Sequence, residues 1–156
     1  MNSVSSSTLR AATLAWAIWW SSAASGYAAE RVEPVNKDGA GLALKGYDTV
    51  AYFQAKAPVK GVPEFTHSWK GATWQFSSAA NRDAFAKNPE QYAPQYGGYC
   101  AWAVSNNYTA PVDPLAWKII EGKLYLNYNT AVQKKWEDGV LKRIEQATTN
   151  WPQLHK

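Results

Sequence analysis

The sequence predicts an α+β fold: a small single domain built from two β-hairpin–helix units, with a short helix after Gly97-Gly98. Three observations predict it. The chain has 156 residues, the length of one domain. With 46% apolar and 18% charged residues, its composition is that of a globular protein. Two apolar stretches each double back at a glycine turn and lead into a capped helical stretch, and they recur 51 residues apart.

The first 28 residues read as a signal peptide. Arg10 precedes the apolar run from Ala11 to Trp20, small residues follow, and Gly26-Tyr27-Ala28 offers a cleavage site before Ala29. The apolar core is too short to cross a bilayer roughly 30 Å thick. Removal of the leader leaves fifteen basic residues against twelve acidic ones. Residues 29–41 are polar and rich in Gly, Pro and Asp, and read as an arm that is loose or ordered on contact. The domain itself is expected over residues 42–154.

Within the domain, Gly46 to Phe53 reads as a turn followed by a short strand, because Thr49-Val50-Ala51-Tyr52-Phe53 is β-branched and aromatic. Lys56 to Pro63 reads as a surface loop. Phe65 to Trp69 alternates, turns at Lys70-Gly71 and returns as Ala72 to Phe76. Ser78 is placed to cap a helix over Ala79 to Asn88, with Pro89 ending it. In the second unit, Trp117 to Ile120 turns at Glu121-Gly122 and returns as Lys123 to Tyr128. Thr130-Ala131-Val132-Gln133 reads as a capping box opening a helix in which Val132, Trp136 and Val140 recur at spacing four. The offset of 51 aligns Gly71 with Gly122, Trp74 with Tyr125, Ser78 with Asn129 and Phe85 with Trp136.

Several function classes are excluded or disfavoured. One cysteine rules out an internal disulfide framework, a four-cysteine zinc site and a cysteine-held iron–sulfur cluster. No glycine-rich phosphate loop, GxSxG or HExxH is present. The basic residues are scattered, so no nucleic-acid stripe is expected. No nucleophile–base pair can be assembled from spacing alone, which disfavours an enzyme.

The candidate metal ligands are Cys100, His67, Asp48 and Asp113. A lone cysteine in an exported protein asks for a reason. Cys100 falls in the first turn of any helix after Gly98, where backbone N–H groups favour a thiolate; its apolar neighbours allow it equally to be a small core residue. His67 shares a strand face with Phe65 and Trp69. Asp48 and Asp113 suit a hard ligand or general base, and equally a turn cap. Tyr47, Tyr52, Tyr92, Tyr96, Tyr99 and Tyr108 could line a pocket; Tyr47, Tyr52, Tyr99 and Trp102 are the candidates for contact with a bound molecule.

The runs Gly46 to Phe53, Gly71 to Ser78, Asn81 to Phe85, Pro89 to Tyr92 and Tyr96 to Ala101 resemble the exported proteins carrying a YHS domain. Asp113-Pro114 with Trp117, and Gly122 to Asn129, extend the match, which covers about residues 42–154. The resemblance implies metal handling: the module occurs on copper-transporting ATPases and phenol hydroxylase-like proteins. In metal-linked versions, cysteines occupy the second hairpin strand and the helix after it, where this chain has Ser77, Ser78 and their neighbours. Only Cys100 could supply sulfur here, and a mixed site with one thiolate favours copper or zinc. The expectation is an exported, periplasmic or secreted, non-enzymatic carrier or buffer of a transition metal, copper first and zinc second. It would be a monomer with no nucleic-acid partner and no stable membrane anchor after cleavage. The alternative is a small-molecule or envelope-interaction module using the aromatic surface, with Cys100 buried.

Overall fold

The computed structural model describes residues 32–156; the leader and its cleavage site lie outside the described residues. Among the described residues no helix is long and apolar enough to cross a membrane. The fold is α+β, with two separate antiparallel hairpins and helices packed around them. Its order is α1 (Thr49–Gln54), β1 (Val62–Trp69), β2 (Ala72–Phe76), α2 (Ala79–Lys87), α3 (Pro89–Tyr92), α4 (Ala101–Ser105), β3 (Asp113–Ile120), β4 (Lys123–Asn127), α5 (Thr130–Glu137) and α6 (Val140–Leu154).

The two units are copies of one structure. Both hairpins carry a register irregularity at the same place, between Val62 and Thr66 in β1 and between Asp113 and Trp117 in β3, 51 residues on. The backbone before each unit turns through a glycine with positive φ, 75° at Gly46 and 79° at Gly98. The N–H of Asp48 donates to the Val59 carbonyl at 2.8 Å, and that of Cys100 to the Ala110 carbonyl at 3.0 Å. Phe85 on α2 and Trp136 on α5 are both fully buried at the matching position. The offset seen in the sequence is therefore the period of the fold, with one residue fewer between the capping residue and the hairpin in the second unit. To these units α6 is added, burying Ala147 against α4.

Four local expectations need correction. The segment after Asp48 is the helix α1 and not a strand, because the Asp48 carboxylate accepts the N–H groups of Val50 and Ala51 and so caps it. The helix from Ala79 does stop before Pro89, at Lys87 and not Asn88, and Pro89 in addition opens α3 at a first-turn position, where its missing N–H costs nothing. The cap of α5 is Asn129, whose side chain accepts from the Val132 N–H at 2.8 Å, one residue before the expected Thr130. Val140 belongs to the next helix, since Gly139 at φ 74° breaks the chain between Trp136 and Val140.

The segment read as an arm is ordered on contact through residues 35–37. Val35 is buried in the core of the first unit. Asn36 donates its N–H to Gly97 O at 2.8 Å and its side-chain amide to Gly98 O at 3.0 Å. Lys37 donates to Gly71 O at 2.9 Å.

Candidate functional site

A cleft of about 730 Å³ lies where the two units meet the bend at Pro34-Val35 and the C-terminal half of α6. Its walls are aromatic. Trp69 and Trp74 stand on the first hairpin with ring centroids 5.9 Å apart. Tyr125 stands on β4 at the position equivalent to Trp74, 5.9 Å from Tyr96. Trp151 of α6 lies 6.3 Å from Tyr96 and stacks on His155 at 4.4 Å, nearly parallel. Strand alternation puts Trp74 and Tyr125 on the inner faces of their hairpins, and the left-handed turn at Tyr96-Gly97 carries the Tyr96 ring between them.

Polar groups share the lining at defined places. Burial pushes the Tyr125 hydroxyl up to about 12, so it stays protonated and available to donate. The Tyr96 hydroxyl donates to Ile144 O at 3.2 Å and lies 3.3 Å from Thr148 Oγ1. Pro152 lies inside α6 and brings no N–H to the carbonyl of Thr148, which also borders the cleft. At the rim Lys70 is engaged with Glu90 at 2.8 Å and covers the Trp69 ring. Lys123 pairs with no carboxylate among the described residues.

The expected metal ligands stand elsewhere and do not gather. Among the described residues there is no group of three or more His, Cys, Asp and Glu side chains able to hold an ion. Asp48 is fully buried with its oxygens occupied: Oδ1 accepts from Val50 N at 2.9 Å and Ala51 N at 3.2 Å. Its Oδ2 accepts from Ser77 N at 2.8 Å, Ser77 Oγ at 2.6 Å and Asn81 Nδ2 at 2.7 Å. His67 lies edge-on to Phe85 at 6.0 Å. Asp113 accepts the Leu115 N–H at 2.9 Å as a turn cap.

Cys100 is 1% exposed. Its Sγ accepts the Tyr128 N–H at 3.3 Å and lies 3.8 Å from Asn127 Oδ1. Burial pushes the thiol up, outweighing the backbone N–H groups of Ala103, Tyr128 and Trp102 that pull it down. The thiolate favoured by a helix start is thus opposed here by desolvation.

Of the aromatic candidates, Tyr52 is buried and its hydroxyl donates to Pro114 O at 2.9 Å. Burial, with the nearby Tyr47, Asp113 and Asp48, drives its pKa far upward, so it is a neutral structural donor. The Tyr47 ring lies beneath Lys60, and the Trp102 ring beneath the Arg143 guanidinium at 3.8 Å. Tyr99 packs on Trp151 at 5.8 Å and supports the cleft wall from behind. Sequence reasoning reached Tyr96 as a pocket residue and missed Trp69, Lys123, Tyr125 and Trp151. The one signal for them was the excess of Trp and Tyr, with Tyr125 falling at the repeat position of Trp74.

Fold and site together describe a small α+β domain: two repeated hairpin–helix units bordering an aromatic cleft. The family model for the YHS domain matches residues 50–96, and over that stretch the chain is a YHS domain, a module associated with metal handling. The matched stretch runs from α1 to the turn at Tyr96, which is the first unit; the second unit lies outside it. No curated protein and no solved structure matches the chain.

Proposed function

We propose that the protein is an exported, non-catalytic module that binds a small planar molecule in the cleft between its two units. The observation that carries this reading is the cleft itself: about 730 Å³, walled by Trp69, Trp74, Tyr96, Tyr125 and Trp151, and not bordered by Cys100. Binding sites for small molecules are concave, apolar and furnished with a few polar groups, and this cleft has that make-up. Export is supported by the leader sequence.

Copper carriage, the leading expectation from the resemblance, is supported by the family match. It would require Cys100, His67, Asp48 and Asp113 to leave their present partners and converge. The cleft asks for no rearrangement, and it is the reading preferred here.

The test is titration of the purified protein with 2-naphthoate, followed by tryptophan fluorescence and calorimetry. Saturable one-to-one binding that Trp151→Ala weakens at least tenfold supports the cleft. Failure of the probe to bind, with one-to-one binding of Cu(I) that Cys100→Ser abolishes, would replace this reading with the carrier.

A further inference from the structure

We propose that the ligand of the cleft is an anion, a planar ring bearing a carboxylate or a similar acidic group, and that Lys123 selects for it; this rests on the cleft being the binding site. The walls fix the ring. The half-buried rings of Trp69 and Trp151 border the cleft and give a flat, unsaturated molecule edge-on and offset contacts, which a puckered aliphatic ring makes less well.

The rim fixes the charge. Besides the phenols of Tyr96 and Tyr125, four ionisable side chains border the cleft: Lys70, Lys123, Glu90 and His155. Lys70 and Glu90 neutralise each other at 2.8 Å. His155 turns its Nδ1 to the Trp151 carbonyl at 2.7 Å and lays its ring on that indole. Lys123 is what remains, a cation with no carboxylate paired to it among the described residues, at the first position of β4. It is two residues from Tyr125, so on a strand both side chains leave the same face. The ammonium offers a charged donor to an acidic group. A cationic ligand would find Glu90 already held and Lys123 repelling it. Lys123, the charge on the cleft rim with no carboxylate paired to it among the described residues, therefore decides the sign of the ligand.

Three probes test this in the purified protein: 2-naphthoate, 2-naphthylmethylammonium and cyclohexanecarboxylate. The expected order is naphthoate first, with each of the other two weaker by tenfold or more. Lys123→Gln should bring naphthoate and naphthylmethylammonium to within about threefold of each other, and should flatten the dependence of naphthoate binding on salt. That substitution is on an exposed strand end, and an unchanged circular dichroism spectrum and melting temperature confirm that the variant folds. Equal affinity for the two naphthyl probes in the wild-type protein, or an unchanged preference in Lys123→Gln, overturns the anion assignment while leaving the cleft as the site. Absence of binding by all three probes overturns the cleft reading as well.

Discussion

Replacing Asp48 by alanine should come close to unfolding the protein. A fully buried carboxylate with no cation pairing with it among the described residues is tolerated only because five donors surround it: two from α1, two from Ser77 and one from Asn81 of α2. Loss of the cap on α1 costs about 1 kcal/mol. The Ser77 N–H and the Asn81 amide would lose their acceptor at about 1–3 kcal/mol each, toward the lower end because both residues are half-buried. The Ser77 hydroxyl can rotate to another partner. The sum is about 3–5 kcal/mol, set against a total of about 5–15 kcal/mol for a domain. Asp48→Asn should cost less, since the oxygen capping α1 survives while the new amide faces donors. Urea unfolding followed by circular dichroism measures both, with an unchanged m-value required for the comparison. A loss below about 1 kcal/mol in Asp48→Ala would refute the reasoning and free Asp48 for another role.

Other consequences follow from the same geometry. Cys100 should stay silent to an aromatic disulfide reagent near neutral pH and react only as the protein unfolds, read by absorbance of the released thiol. Stability should be level through neutral pH and fall as pH rises above about 8.5: the unfolded thiol ionises there, whereas the folded thiol, pushed up by burial, does not. Tyr125 and Tyr96, also raised by burial, should extend the fall above about pH 10; Cys100→Ala should remove its first part in pH-resolved melting curves. Deleting residues through Lys37 should lower the melting temperature, because Val35 leaves the core and Gly97 and Gly98 lose the Asn36 bonds. Gly97→Ala should do the same, since a methyl there would meet Pro34 O at 2.1 Å, whereas Gly122→Ala, with open space and a similar φ, should show backbone strain alone.

The hairpins were legible because their determinants are local: alternation fixes the strands and glycine fixes the turns. The residues from Thr49 to Phe53 were misread because β-branched and aromatic side chains favour a strand, while the Asp48 cap and burial of Val50, Ala51 and Tyr52 impose a helix. Trp136 and Val140 keep helical spacing across Gly139, so periodicity could not reveal the break. Val35, like Val32, stands isolated among polar residues, and nothing local marks it as core. The cleft was the least legible part. Its walls come from residues as far apart as Val35, Trp74, Tyr125 and Trp151, brought together only by packing one unit and α6 against the other.

The repeat also explains why a lone cysteine stands at position 100 without invoking a ligand. Cys100 precedes α4 as Asp48 precedes α1, and its sulfur accepts the Tyr128 N–H as Asp48 accepts that of the equivalent Ser77. The remaining donors differ. In place of Asn81 the second unit has Val132, and the N–H of Trp102, equivalent to that of Val50, goes to the Asn127 side chain at 3.2 Å. Asn127 therefore supplies the capping oxygen from β4, at the position where the first unit has the buried Phe76. The Tyr128 N–H bonds the sulfur, and those of Ala103 and Trp102 also act on it, the latter being taken by Asn127; this suits a neutral thiol, whereas a buried carboxylate would lack the donors of the first unit and would also face Asn127 Oδ1. Cys100→Asp alone should then cost about 3 kcal/mol or more, as an undersolvated charge in the core. Adding Asn127→Leu removes the opposing oxygen and returns the Trp102 N–H to residue 100, restoring the logic of the first unit. The double variant should be more stable than the sum of the single losses by at least about 1 kcal/mol in a double-mutant cycle. Strict additivity would mean that the two positions do not share the capping of α4, and Cys100 would again need a reason of its own.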